Sequence, residues 1–213
     1  MDPLDGRVNF AIGVFDLFTY TIPGALYLGL FGYVGARFDW IDPAAAGRAP
    51  VVLLVIALVL VTHLLGYLGY PLGAAINRLV TRRRDRRPRQ EFLRRNPEAR
   101  DRAYVEADPH LLLSVIQLHD KDVAVEVTRL RASGLMLRNS APPLLLGALV
   151  AFVEIFTGSK PVLAVVSLLL LAVGSVSLVA QGRKMGHWAS IKTLELCFWI
   201  PDIDERLAVQ GDS

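Results

Sequence analysis

Residues 161–180 read PVLAVVSLLLLAVGSVSLVA and contain no charged side chain. A helix needs about 20 mainly apolar residues to cross a hydrocarbon layer of about 30 Å, and this segment has that length. Its apolar residues lie on all sides of the helix instead of along one stripe, which is typical of a helix that faces lipid. The segment predicts a transmembrane helix in an integral membrane protein.

Three further apolar segments predict an all-α, polytopic membrane protein with four transmembrane helices. They cover about residues 15–35, 50–76 and 141–157, and the second contains an unbroken apolar run from Val51 to Val61. The sequence Gly158-Ser159-Lys160-Pro161 predicts a tight turn, so the third and fourth spans should be antiparallel neighbours. In the first span, Ala25, Gly29, Gly32 and Ala36 recur at helical spacing, which favours close packing against another helix.

The basic residues predict the orientation of the four spans. Residues 77–140 contain fifteen arginines and lysines, whereas the loop 37–48 contains two and the turn before Pro161 contains one. Because basic loops stay in the cytosol, residues 77–140 and both termini should be cytosolic. Arginines outnumber lysines by nineteen to four, which hints at a GC-rich bacterial genome and hence at the bacterial inner membrane.

The chain thus divides into a first transmembrane hairpin (residues 1–80), a basic helical cytosolic segment (81–140), a second hairpin (141–182) and a cytosolic tail (183–213). In the cytosolic segment, Asp108-Pro109 predicts a helix start. Apolar residues recur at about every 3.5 positions from Leu112 to Leu137, which predicts one amphipathic helix reaching Arg138 and suited to oligomerisation. We expect this helix to bend at Pro142-Pro143.

The tail after Gly182 predicts a separate amphipathic helix. Apolar residues fall on one side of it, which is typical of a helix lying at the membrane interface. These residues are Trp188, Ile191, Leu194 and Phe198.

Arginines are concentrated just after the second span. Residues 78–102 contain eleven arginines and four acidic residues. One interpretation is a binding surface for an anionic ligand, namely a nucleotide, an oligonucleotide or an acidic lipid; the other is a topological anchor of solvated charges. The candidate ligand-binding residues are Arg82, Arg83, Arg84, Arg86, Arg87, Arg89, Arg94 and Arg95.

Polar residues within the spans are candidate pore-lining positions, because polar groups at membrane depth face protein or water. Four of these positions share one face of the second span, and their alternative role is packing or hydrogen bonding between the helices of a bundle. The fifth is a glutamate near the end of the third span, and its alternative role is an acid that reaches water at the membrane interface. The candidate pore-lining residues are His63, Gly66, Tyr67, Tyr70 and Glu154. Pro23-Gly24 predicts a kink and a candidate hinge in the first span.

Enzymatic motifs are missing from the sequence. It has no nucleophile elbow and no phosphate-binding loop, and the cluster His119-Asp120-Lys121-Asp122 lacks the second histidine that a metal site would need. Cys197 is the single cysteine, which excludes an internal disulfide. We therefore expect neither enzyme activity nor a metal or other cofactor.

Residues 15–24 read FDLFTYTIPG. This segment resembles the aromatic-rich opening, ending in Ile-Pro-Gly, of small bacterial membrane proteins, several of which are encoded in antiphage defence loci. The layout of a few spans around a charged cytosolic segment is also similar to the membrane effectors of nucleotidyltransferase-linked defence systems such as Hailong and CBASS. The resembling motif covers ten residues of the chain, and no dedicated nucleotide-binding domain accompanies it.

The resemblance implies a homo-oligomeric channel, for which we expect a tetramer, that depolarises the cell on infection. A nucleotide or oligonucleotide would be its ligand, and a nucleotidyltransferase its partner. The alternative function is a non-catalytic membrane scaffold whose cytosolic segment docks a partner enzyme.

Overall fold

The computed structural model describes the backbone of residues 3–40, 50–81 and 88–205, and the side chains of residues 17–40, 50–78 and 88–205. These residues are almost entirely helical and include no strand. The α-helices are α1 (Pro3–Arg37), α2 (Val51–Leu68), α3 (Tyr70–Thr81), α4 (Pro88–Arg95), α5 (Pro109–His119), α6 (Lys121–Thr157) and α7 (Pro161–Phe198). Two short 3₁₀ turns, Pro97–Ala99 and Ala103–Glu106, lie between α4 and α5.

Four helices are long and apolar enough to cross a membrane, as the sequence predicts. They are α1, α2 continuing into α3, α6 and α7. Their main contacts join α2 to α1, α1 to α6, and α6 to α7. Within the described ranges these contacts order the long helices in a row, α2–α1–α6–α7, in which α3, the continuation of the second span, also reaches α6. Every residue of the segment 51–61 is exposed.

Glycines set the distance between α1 and α2. A Cβ atom on Gly24 would lie 1.5 Å from the Thr62 carbonyl oxygen, and one on Gly66 would lie 1.8 Å from the Tyr20 carbonyl oxygen. Only hydrogen fits at either position, so the two backbones touch. The small residues expected to form such a contact, Gly29 and Gly32, have nothing within 4 Å instead.

The predicted helix from Pro109 to Arg138 is wrong, because it is two helices. The Asp120 carboxylate accepts hydrogen bonds from the amides of Asp122 and Val123, at 2.9 and 3.2 Å, and so caps the start of α6. An aspartate that satisfies these free amides favours a new helix start over continuation, although the apolar period runs on.

α6 then continues through Pro142 and Pro143 into the third predicted span without an interruption. Both prolines are buried. The turn before them contacts α3, where a Cβ atom on Gly73 would lie 2.5 Å from the Asn139 side-chain oxygen. Tertiary packing thus supports the helix where the prolines remove two of its hydrogen bonds.

The fourth span and the tail are also one helix, which corrects the prediction of a separate interfacial helix. α7 passes through Gly182 and Gly186. Gly182 is buried against α6, where a Cβ atom would lie 2.9 Å from the Gly134 carbonyl oxygen. It is therefore a packing glycine inside the helix and not a helix end.

The last turns of α7 bury their apolar face in a small core. Ile191, Leu194 and Cys197 are 6%, 7% and 0% exposed, so this part of the face contacts protein, whereas Trp188 of the predicted face is 57% exposed. The core partners come from α4, the 3₁₀ turns and α5. The largest are Phe92, Tyr104, Leu112 and Ile116.

Candidate functional site: a basic cleft between α3, α4, α6 and α7

A cleft of about 690 Å³ opens where α6 and α7 cross. Along these two helices, it lies at the end opposite the 157–161 turn. Asn77 of α3 and Pro88 of α4 border it, and they flank the segment 82–87 in the sequence. Its volume lies in the range of ligand-binding pockets, about 300–1,000 Å³. We call it the basic cleft because of its charged residues, which are Arg131, Arg138, Arg183, Lys184 and Glu91, with His187 beside them.

Among the described residues, four basic side chains and one carboxylate give the cleft a strongly positive lining. Such an excess of like charge in a concave surface attracts anions, because the low-dielectric walls focus the field into the opening. Arginine also offers a planar set of donors that matches phosphate oxygens. The cleft is therefore suited to a phosphorylated ligand.

Neighbouring groups hold the cleft arginines in place. The Arg138 guanidinium lies 5.0 Å from the centre of the Tyr70 ring, which is a cation–π contact. The Arg183 Nε donates to the Asn77 side-chain oxygen at 3.2 Å. The Arg138 Nη2 is buried and has no hydrogen-bond acceptor among the described residues. A buried donor without an acceptor is costly, so it is a candidate to bind a ligand oxygen.

Glu91 forms the acidic edge of the cleft. One carboxylate oxygen contacts His187 Nε2 at 2.8 Å, and the other accepts from Arg95 at 2.5 Å. The hydrogen bond with His187, helped by the charge of Arg95, lowers the pKa of Glu91 below its ordinary value of 4.5. The carboxylate is thus ionised at neutral pH and ties α4 to α7.

Glycine keeps the floor of the cleft open. Gly134, Gly182 and Gly186 all border it, and a Cβ atom on Gly186 would meet nothing within 4 Å. Gly134 and Gly182 belong to the close contact between α6 and α7 described above. The same glycines therefore bring the two helices together and leave space beside them.

Three of the arginines predicted to bind a ligand are described, namely Arg89, Arg94 and Arg95, and they do not line this cleft. Arg82, Arg83, Arg84, Arg86 and Arg87 fall outside the described residues. Arg89 pairs with Glu106 at 2.6 Å, Arg94 is exposed on α4, and Arg95 pairs with Glu91. Their predicted role as ligand contacts stays a prediction.

The cleft arginines themselves were not singled out from the sequence. Arg131 and Arg138 are seven residues apart and so share one face of α6. That spacing was a usable signal, but the residues lie in the amphipathic stretch that was interpreted as an oligomerisation helix. Arg183 and Lys184 directly follow the fourth predicted span, where basic residues indicate the orientation of a span and not a binding site.

The candidate pore-lining residues of the second span do not share one environment. His63 lies 5.8 Å, edge to face, from the Tyr20 ring of α1, and Tyr67 lies 5.5 Å from the same ring. Gly66 is buried against α1, whereas Tyr67 is 63% exposed. Tyr70 lies under Arg138 and therefore beside the basic cleft. No described residue bonds the buried Nδ1 of His63.

The candidate hinge lies at the tightest helix contact. Pro23 is fully buried, and Gly24 touches the α2 backbone as described above. α1 remains helical through both residues. A movement at this position would require α2 to move as well.

The fifth candidate pore residue, Glu154, lies at the other end of the long helices, next to the 157–161 turn. Its carboxylate accepts from the Arg37 Nε at 3.0 Å. It folds back over the turn, because a Cβ atom on Gly158 would lie 2.4 Å from its Oε2. A second cavity, of about 670 Å³, opens beside this ion pair between α1, α6 and α7.

The described residues contain no group of three or more histidines, cysteines or acids that could hold a metal ion. The known family models, curated proteins and solved structures with which the chain was compared include no match to it.

Proposed function

We propose that this chain forms a homo-oligomeric membrane channel that opens or closes when a nucleotide or oligonucleotide binds the basic cleft on its cytosolic side. The observation that carries the proposal is the position of the cleft on α6 and α7. Both helices run without interruption from the cleft into the segments that are apolar enough to cross a membrane. A ligand that changes their crossing at Gly134 and Gly182 therefore moves the transmembrane halves directly.

A path for ions requires several copies, because the described long helices of one copy form a row. Gly29 and Gly32 of α1 have free space beside them and allow the helix of another copy to approach. We expect four copies. The biological setting that we propose is bacterial antiviral defence, in which a partner nucleotidyltransferase makes the ligand in response to infection.

The binding test uses a fluorescent oligoadenylate and the chain in lipid nanodiscs. The variant Arg131→Gln/Arg138→Gln/Arg183→Gln/Lys184→Gln removes the four cleft cations and should abolish binding. In the wild type, affinity should fall steeply with salt, with a slope of about −0.7 per phosphate neutralised. The control Arg100→Gln/Lys192→Gln removes two cations from outside the cleft and should bind normally.

A second variant, with Gln at Arg82, Arg83, Arg84, Arg86 and Arg87, tests the adjoining segment. Lost binding in this variant would show that the arginine run also contacts the ligand, whereas normal binding would leave the run with the role of a topological anchor. Normal binding by the cleft variant would refute the cleft as the ligand site.

The conduction test is ion flux into proteoliposomes with and without the bound oligonucleotide. His63→Leu and Pro23→Ala should both reduce flux without changing assembly, because His63 lines the pore and Pro23 lies at the hinge of the proposed channel. Unchanged flux in both variants would show that His63 does not line the pore and that Pro23 is not a hinge. No flux in the wild type with any nucleotide would refute the channel.

The scaffold is the second candidate, and two exposed apolar side chains favour it. Leu118 is 87% exposed and Trp199 is 79% exposed, both in the part that we expect to be cytosolic. Large apolar side chains that are exposed in a single chain often become buried in an interface with a partner protein. Leu118→Ser/Trp199→Ser should release a bound partner enzyme if the chain is a scaffold and should leave ion flux unchanged.

A further inference from the structure

The second cavity lies beside the 157–161 turn, and its walls are mostly apolar. Leu30 of α1, Val150 of α6 and Leu163 and Leu171 of α7 face it. These residues belong to helices that are apolar enough to cross a membrane, so the cavity opens at the depth of lipid chains. Neither an empty cavity nor water satisfies apolar walls as well as hydrocarbon does. The walls are therefore suited to an acyl chain.

The mouth of the cavity carries a net positive charge. Arg37 and Glu154 neutralise each other at 3.0 Å. Lys160 borders the same cavity and forms no ion pair with any described carboxylate. The first turn of α7 begins at Pro161, next to Lys160. Its free amides add partial positive charge to that of Lys160.

An apolar cavity between helices, with a cation at its mouth that pairs with none of the described carboxylates, matches the two parts of an anionic phospholipid. We propose that this cavity is a binding site for an anionic phospholipid such as phosphatidylglycerol, with one acyl chain between α1, α6 and α7 and the phosphate at Lys160 and the start of α7. A zwitterionic headgroup has no net charge to pair with Lys160. The site is separate from the basic cleft, which lies at the other end of α6 and α7.

The test measures the phospholipid that stays with the purified chain, by native mass spectrometry in a mild detergent. Equal amounts of phosphatidylglycerol, phosphatidylethanolamine and phosphatidylcholine are added as probes. The wild type should retain phosphatidylglycerol over the other two by about fivefold, the effect of roughly 1 kcal/mol from one exposed ion pair. Lys160→Gln should lose that preference but still retain lipid.

Gly147→Val tests the chain-binding part of the site. A Cβ atom on Gly147 would lie 3.3 Å from Leu171 Cδ1 and 3.9 Å from Leu30 Cδ1, so added methyl groups would project among side chains that line the cavity. The variant should lose retained lipid of every headgroup. Its control, Ala57→Val, adds methyl groups to the exposed segment 51–61 and should retain lipid as the wild type does.

Two further measurements distinguish the lipid from other anions and this cavity from the basic cleft. Glycerol phosphate, which has the headgroup charge without a chain, should not displace the lipid. The four-fold cleft variant should keep its phosphatidylglycerol. Lipid retained in bulk proportions by the wild type, normal retention by a folded Gly147→Val protein, or displacement by glycerol phosphate would each overturn the proposal. If Gly147→Val does not fold, the response to Lys160→Gln decides.

Discussion

Glu91 links α4 to α7, because it contacts His187 of α7 as well as Arg95 of its own helix. Its pKa lies below the ordinary value of 4.5 in the folded chain. The unfolded chain therefore binds a proton at Glu91 more readily than the folded chain does. The stabilisation is complete above about pH 4.5 and is lost as the pH falls through the lowered pKa.

This linkage predicts the behaviour of Glu91→Gln in acid. At pH 7 the variant should unfold at a lower temperature than the wild type, and the difference should shrink as the pH falls below 4.5. The measurement is thermal unfolding in detergent, followed by circular dichroism at a series of pH values. A difference that stays constant down to pH 3 would show that Glu91 acts through packing and not through its charge.

Gly24 is the residue where one added side chain should do most damage to the spans. Its Cβ position lies 1.5 Å from the α2 backbone, and a backbone cannot rotate away as a side chain can. Gly24→Val should destabilise the chain by about 1–3 kcal/mol or more, as overpacking does. Thermal unfolding should place it well below the control Ala57→Val. Equal stability of the two variants would mean that α1 and α2 do not touch at this position.

At the scale of elements, α7 is a single helix across Gly182 and Gly186, although the sequence predicts a break there. Hydrogen exchange measured by mass spectrometry should therefore find residues 180–187 as slow as the helix on either side. The reason is that each of these amides donates within a continuous helix. Fast exchange confined to 180–187 would restore the separate tail helix.

How far each element could be predicted depended on what decides it. Hydrophobic length decides a span, so the run from Val51 to Val61 and the segment 161–180 sufficed to predict transmembrane helices. Tertiary contacts decide whether Gly182 ends a helix or packs inside one, and these contacts are not visible in a single sequence. The Asp120 cap was visible, but the continuing apolar period obscured it.

The candidate sites show the same division between local and tertiary information. The sequence identified a basic region just after the second span, because eleven arginines lie close together in it. It did not identify the basic cleft, whose cations come from α6 and α7, far along the chain. The spacing predicts Gly29 as a contact residue and Gly24 as part of a kink, whereas the fold shows that Gly24 faces α2 and that Gly29 faces open space.

At the scale of the whole molecule, the row of helices leads to the prediction of a tetramer. Native mass spectrometry in a mild detergent should find four copies. Gly29→Val/Gly32→Val should shift the chain to smaller species, because the added methyl groups would separate helices of neighbouring copies. Monomer alone in the wild type would contradict the channel, and unchanged tetramer in the variant would exclude this face of α1 from the interface.

The predicted orientation can be tested with cysteine labelling of intact cells. Cys197 is fully buried, so the natural cysteine should react little. Ser159→Cys in the turn should react with a membrane-impermeant maleimide, and Arg100→Cys should react only after the membrane is opened. Reaction of Arg100→Cys in intact cells would reverse the orientation.

The uninterrupted course of α6 also gives the molecule mechanical leverage. The helix rises about 1.5 Å per residue, so the part from Gly134 to Thr157 is about 35 Å long. With the contact at Gly134 and Gly182 as the fulcrum, a tilt of only about 10° would displace Thr157 by about 6 Å, roughly one helical turn. In the channel that we propose, a ligand in the basic cleft acts directly beside this fulcrum, because Gly134 and Gly182 border the cleft, and the turn before Pro161 lies at the end of the lever.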